Sequence, residues 1–295
     1  MRSALGAAVF AVSACASSAT GGASPGRPAP APGAEAPAPA APAPSKPTGK
    51  AIALKPPAFT RYQLQRSDTM ELKLPDGSSQ MQAYRWSAWI DTRTSVETGG
   101  YHLVLTLDSL EVAVSGVPLL QPALDSARGT RWTAHLAADG KLSSIETDRE
   151  SSIARQFESM LRYLYPPVLG GEVRSGTTWT DSATVPTRAQ NFDVQETERT
   201  DYIATGPAVH GSETVLVIGG NGTFTRTGNG SQYDQPMQYQ SSGQRRVTFY
   251  LATEGAPAGA EGTETSQVTV TVPAVGQSLS ADQRGSFRIS IIGTP

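Results

Sequence analysis

The sequence predicts an all-β, mainly antiparallel domain: a strongly curved sheet, half-barrel or barrel of about ten strands, with one amphipathic helix packed on it or plugging it. Three observations predict this class. Charged residues make up only 17% of the chain, and Thr, Ser, Gly and Val are abundant, a mixture that suits pleated strands. Segment after segment alternates apolar and polar residues with period two. Turn-forming residues rather than helices separate most of these segments, so βαβ units and a parallel sheet are not implied.

The first strand signal is Arg61-Tyr62-Gln63-Leu64-Gln65, followed by Met70 to Leu74 and the turn Pro75-Asp76-Gly77, the start of a hairpin. Next, Tyr84, Trp86, Ala88 and Ile90 alternate with Arg85, Ser87, Trp89 and Asp91. Tyr101, Leu103, Leu105 and Leu107 alternate with His102, Thr106 and Asp108. Period two puts each apolar set on one face, so both segments read as half-buried strands. Trp132, Ala134 and Leu136 lead into Asp139-Gly140, whose tolerance of positive φ suits a two-residue hairpin turn, and Leu142 and Ile145 continue after it.

A helix over about residues 148–164 interrupts the strands, because Ile153, Phe157, Met160, Leu161 and Leu164 fall on a single apolar stripe. Thr147 and Glu150 have capping-box spacing, and Pro166-Pro167 end the run. Strand signals return around Trp179-Thr180, Phe192 to Thr200, Val215 to Thr225, Gln238 to Leu251, Val268 to Val272 and Phe287 to Ile292. Gly219-Gly220-Asn221-Gly222 and Gly228-Asn229-Gly230 read as turns or bulges.

The first fifty residues are of another kind. Arg2, the apolar stretch Ala4 to Val12 and the small residues after it read as a short secretory signal over residues 1–14, too short for a span, which needs about 20 apolar residues. From Ser24 to Thr48 the chain is nearly all Pro, Ala and Gly, which bury little and favour extended polyproline II geometry. Residues 15–50 are therefore expected to be a tether, and 51–295 a single β-rich domain.

Val12-Ser13-Ala14-Cys15 resembles the bacterial lipobox. The resemblance implies diacylglyceryl transfer to the thiol, cleavage before Cys15 and a membrane anchor made of acyl chains, each buried CH₂ contributing about 0.8 kcal/mol. Ala16 and Ser17 follow without an aspartate, which resembles outer-membrane retention in the enteric sorting pattern, facing the periplasm. A plain cleavable signal with a spare cysteine is the alternative reading.

The formal net charge of −2 offers no basic field for nucleic acid. Cys15 is the only cysteine, so the domain has no disulfide, cysteine-based zinc site or catalytic thiolate. His102, His135 and His210 lie in separate segments without the i, i+4 spacing of zinc motifs, and they read as strand residues. Nucleophile-elbow, zinc-hydrolase and phosphate-loop motifs do not occur. Glu196, Glu198 and Asp201 could flank a substrate as acid and base, but their spacing is also that of a solvated strand face. No catalytic residue, metal ligand or cofactor is assigned. Trp86, Trp89, Trp132, Phe157, Met160 and Trp179 could line an apolar cavity, although aromatics serve cores equally well.

The junction from Leu164-Tyr165-Pro166-Pro167 to Val173-Arg174-Ser175-Gly176-Thr177-Thr178-Trp179 resembles that of uncharacterised bacterial lipoproteins. The architecture as a whole is similar to the lipoprotein-carrier class, in which a curved half-barrel and a helix enclose a cavity for acyl chains. The resemblance implies a non-enzymatic envelope lipoprotein that binds a lipid or acyl chain. A structural or interaction module presented to an envelope protein partner is the alternative, and a hydrolase of envelope polymers the third reading.

Overall fold

In the computed structural model, residues 47–74, 77–114, 121–149, 152–189, 192–232 and 235–293 are described. The expected signal segment, Cys15, the expected tether up to residue 46, Pro75, Asp76 and Glu150 lie outside them. The first strand, β1 (Thr48–Ala53), takes in residues that the sequence assigns to the tether. It is followed by β2 (Phe59–Lys73), β3 (Ser79–Glu97), β4 (Gly100–Val114), a short helix α1 (Gln121–Ala127), β5 (Arg131–Ala137) and β6 (Leu142–Thr147). Helix α2 (Ser152–Leu161) leads to β7 (Glu172–Ser175), β8 (Thr178–Ala189), β9 (Phe192–His210), β10 (Glu213–Gln232), β11 (Gln235–Ala252), β12 (Pro257–Val272) and β13 (Gln277–Gly293).

Eleven of these strands form one antiparallel sheet in the order β6-β5-β4-β3-β2-β13-β12-β11-β10-β9-β8, curled into a half-barrel. Neighbours in sequence are neighbours in space, with one exception. The first long strand, β2, pairs with the last, β13, from Arg61 opposite Gly293 to Lys73 opposite Ser280. Strands β6 and β8 are the two ends of the sheet, and α2 runs in the connection between them.

One end of the half-barrel is tied by the N-terminal segment. β1 pairs with β7, the Tyr101 hydroxyl donates to the Leu54 carbonyl at 3.1 Å, and the Lys55 amide donates to Gly255 O at 2.8 Å in the β11–β12 turn. Gly255, at φ 99°, fits because a Cβ there would fall 2.1 Å from Ala53 O.

Period two holds along β2, where Tyr62, Leu64, Asp68, Met70 and Leu72 are buried. Register carries that inner face to Ile90, Ala88, Trp86 and Tyr84 on β3 and to Ile289, Phe287, Gly285 and Ala281 on β13. A bulge between Trp89 and Ile90 shifts the β3–β4 pairing at Asp108, and Arg61 contacts both Asp108 and Asp91 beside it.

Four expectations are corrected. The β5–β6 connection is a three-residue loop, since the Ala137 amide bonds to Lys141 O at 2.9 Å; Gly140, at φ 83°, closes it in the left-handed region. Helix α2 starts at Ser152 and continues as a 3₁₀ turn, Arg162–Leu164, so it is shorter at its N-terminus than expected. Thr147 belongs to β6, and its hydroxyl bonds with the backbone of Arg149 rather than a helix N-terminus. Gly219-Gly220-Asn221-Gly222 and Gly228-Asn229-Gly230 form no turns: all lie inside the 20-residue strand β10. Their role there is spatial. A Cβ on Gly220 would lie 2.6 Å from the Tyr202 ring, and one on Gly228 would lie 2.2 Å from Asp193 O.

Candidate functional site

The inner face of the half-barrel collects the candidate residues, and register divides it into three zones. The first, at the α2 end, is a packed apolar core. Phe157 of α2 meets Trp86 edge-on at 4.7 Å, Met160 and Leu161 are buried, and Tyr163 lies against the rings of Phe287 and Phe249 at 4.8 and 6.4 Å. Trp132 is fully buried on β5 in the same cluster, and Trp179 stacks on Tyr202 at 5.2 Å at its margin. Five of the six expected cavity-lining residues thus lie in or against one hydrophobic cluster. Trp89 is not among them: it lies between Ala88 and Ile90, both fully buried on the inner face, so alternation turns it to the outer face.

The second zone is a belt of charge across five strands. Glu196 and Glu198 on β9, Arg226 on β10, Arg245 on β11, Glu264 on β12, and Arg66 with Asp68 on β2 occupy inner-face positions, and Arg162 reaches them from the 3₁₀ turn. Glu196 is 1% exposed and accepts from Arg162 and Arg226 at 2.5 Å each and from Arg245 at 3.3 Å. Glu264 accepts from Arg226 at 3.0 Å and from Arg245 at 2.9 Å. Arg245 also bonds Glu198, and Arg66 grips both oxygens of Asp68 at 2.7 and 2.8 Å.

The guanidiniums lie on aromatic faces as well: Arg226 is 4.3 Å and Arg245 4.9 Å from the Phe224 ring centre. Space for these large groups comes from missing side chains. A Cβ on Gly285 would come within 2.5 Å of Asp68 Oδ1, and one on Gly243 within 2.7 Å of the Phe224 ring.

Burial pushes the Glu196 carboxyl toward its neutral form, but Arg162, Arg245 and Arg226 outweigh it and hold the group well below the usual carboxylate range. Burial likewise opposes Arg245, Arg226 and Arg66 around Glu264, which ends at about 2. Glu196 is therefore ionised and fully engaged at neutral pH, which leaves it unsuited to act as an acid or base. Asp201 is separate from the belt, accepting from Thr180 at 2.5 Å on the outer face. The belt was hidden in the sequence because its partners lie on different strands, Glu196 from Arg245 by 49 positions.

The third zone lies beyond the belt, at the end of the sheet away from the tied strands. Met70, Leu72, Phe192, Val194, Met237, Tyr239, Val268 and Ala281 are buried on its inner face, and Phe192 contacts Tyr239 at 5.2 Å between ring centres. Gln80, Gln82 and Gln283 are its polar members by register.

A cleft of about 710 Å³ lies over β8–β11, but seven of its eleven lining residues, including Gln195, Asn229, Gln238 and Gln240, belong to the outward set. It is a polar feature of the outer face. The histidines do not converge: His102 pairs with His135 in register, His135 contacts Glu97, and His210 stacks on Tyr250 at 3.8 Å. Among the described residues, no group of three metal-ligating side chains occurs.

No family model matches the chain, and no curated protein does. One solved structure, described as "Asymmetric conductivity of engineered proteins", is similar over 78% of this chain and 99% of its own, at 9% identity. Its TM-score of 0.25 is too low to carry an argument.

Proposed function

We propose that the chain is a non-enzymatic lipoprotein of the bacterial cell envelope, anchored through Cys15, whose half-barrel binds an apolar ligand such as a lipid or acyl chain. The observation that carries this reading is the third zone. Eight apolar residues from β2, β9, β11, β12 and β13 line an inner face beyond the belt, away from the residues that α2 packs against. Apolar walls with a few polar groups at one end are what a site for an acyl chain requires. The similarity of the architecture to lipoprotein carriers and the lipobox at Cys15 point the same way.

Native mass spectrometry followed by organic extraction tests it. The full chain carrying Cys15→Ser, purified from envelope extract, is expected to release an apolar mass on denaturation. A clean protein mass, unchanged after incubation with lipid, would remove the reading. Replacing Cys15 is also expected to move the native chain from the membrane to the soluble fraction.

The outer cleft favours the second reading, an interaction module, because its glutamine and asparagine side chains form a polar surface suited to hydrogen-bonding with a partner. A co-purifying protein without extractable lipid would support that reading over the first.

A further inference from the structure

We propose that the outer cleft over β8–β11 binds a neutral β-1,4-linked glycan, laid across the strands so that successive sugars meet side chains of successive strands. This rests on the interaction-module reading of that cleft and deepens it, with a glycan rather than a protein as the partner.

The cleft, about 710 Å³, has the volume of a small-ligand site, and it is open to solvent along two rows of polar side chains. In the first row Gln195 on β9, Thr227 on β10 and Gln240 on β11 stand directly opposite one another. Asn229 and Gln238 belong to a second row, two residues and so about 6.8 Å further along the strands. All five side chains are exposed. Between the rows, Val194, Gly228 and Tyr239 alternate to the inner face, so the floor of the cleft there is their backbone.

Charge selects the class of ligand. No lysine or arginine lines the cleft, and its one carboxylate, Asp193, already has a partner. An anionic ligand would meet no cation there and would face Asp193. A side-chain amide offers donors and an acceptor in one plane, which suits a sugar hydroxyl or acetamido group. A protein interface draws most of its affinity from aromatic and arginine anchors, and the outward side chains of the cleft include neither.

Spacing selects the linkage. Gln195, Thr227 and Gln240 stand on adjacent strands about 4.8 Å apart, close to the advance per sugar in an extended β-1,4-linked chain. A chain lying between the two rows can bond to both along its edges. Strands β9 and β10 are each paired on both sides, and β11 with β10 and β12, so the rows are set before a ligand arrives and little ordering accompanies binding.

The test titrates the full chain carrying Cys15→Ser, by calorimetry, with cellotriose and chitotriose, with maltotriose, whose α-1,4 linkage curls the chain, and with the β-1,4-linked glucuronate trimer. At least one of the first two is expected to bind with a dissociation constant of about 1 mM or tighter, and the last two about tenfold more weakly. Adding Gln238→Ala and Gln240→Ala together is expected to weaken binding about tenfold with the denaturation midpoint unchanged, because both side chains are exposed. No binding of cellotriose or chitotriose, affinity unmoved by the glutamine changes, or maltotriose or the glucuronate trimer binding as tightly would overturn the proposal. If no sugar binds but a protein that co-purifies with the chain is lost from the double variant, the interaction-module reading stands and this one falls. If no sugar binds and no protein depends on the two glutamines, both fall.

Discussion

Lys141 and Asp181 form an ion pair, Nζ to Oδ1 at 2.7 Å, that joins the two ends of the open sheet. Lys141 precedes β6 and Asp181 lies on β8, strands that nine others separate along the sheet's hydrogen-bonded order. The curl therefore brings its ends within side-chain reach. The neighbouring backbone reinforces the approach, since the Val168 amide bonds to Asp139 O at 2.8 Å in the β5–β6 loop.

Breaking that pair is expected to cost little stability and to loosen the edges. Asp181 raises the Lys141 pKa through a hydrogen bond, but the lysine is half exposed, and pairs of this kind contribute about 0–1 kcal/mol. Lys141→Ala should leave the urea midpoint nearly unchanged while amide exchange quickens in β6 and β8. Equal protection in both strands would show that the backbone contacts alone hold the ends.

Removing Glu196 should be far more costly. Glu196→Ala leaves Arg162, Arg226 and Arg245 with fewer partners in a buried site, a change that typically costs about 3–5 kcal/mol. Chemical denaturation at neutral pH measures it, and a loss below about 1 kcal/mol would mean that water reaches the belt.

Acid should unfold the chain through the same belt. Glu264 titrates at about 2 in the folded chain against an ordinary 4.5, and Glu196 is also depressed. A lowered folded pKa means that the contribution to stability is present above about 4.5 and is lost as pH falls toward about 2. Circular dichroism against pH should show unfolding in that window, and Glu264→Gln should flatten the dependence while lowering stability at neutral pH.

Adjacent glycines should respond in opposite ways. Gly220→Ala drives a methyl within 2.6 Å of the Tyr202 ring and 3.0 Å of Val247, an overpacking that costs about 1–3 kcal/mol. Gly219 faces the other side, where the nearest atom is 3.9 Å away, so Gly219→Ala should be neutral or slightly stabilising through the unfolded chain. Thermal melts of the two variants compare them directly.

Truncating Phe157 should detach the helix from the sheet, because its ring is the edge-on partner of Trp86, and loss of a buried Phe costs about 3–5 kcal/mol. Trp89→Ala, on the outer face, should cost much less in the same denaturation assay.

The fold was legible where period two runs uninterrupted, as in Tyr84 to Ile90 or Trp132 to Leu136, and where Phe157, Met160 and Leu161 make a helical stripe. It was illegible where the inner face is not apolar. The 20-residue strand β10 carries Gly220, Gly222, Arg226 and Gly228 inward, a pattern that looks like loop chemistry until the large neighbours Tyr202 and Phe224 are placed. Glu196 and Glu198 looked like a solvated face for the same reason: their compensating charges come from strands paired only through tertiary register. The helix α1 left too short an apolar stripe to be read.

The pairing of β2 with β13 also sets an order of events. Thr69 and Arg284 meet across that seam although 215 residues separate them in sequence. Hairpins on either side can form as they emerge, but the middle of the sheet cannot close until the last strand has been made, so folding carries a high contact order and a slow final step. Until then both β2 and β12 present unpaired edges. A sheet built this way exists as two separately formed halves until β13 is available to join them.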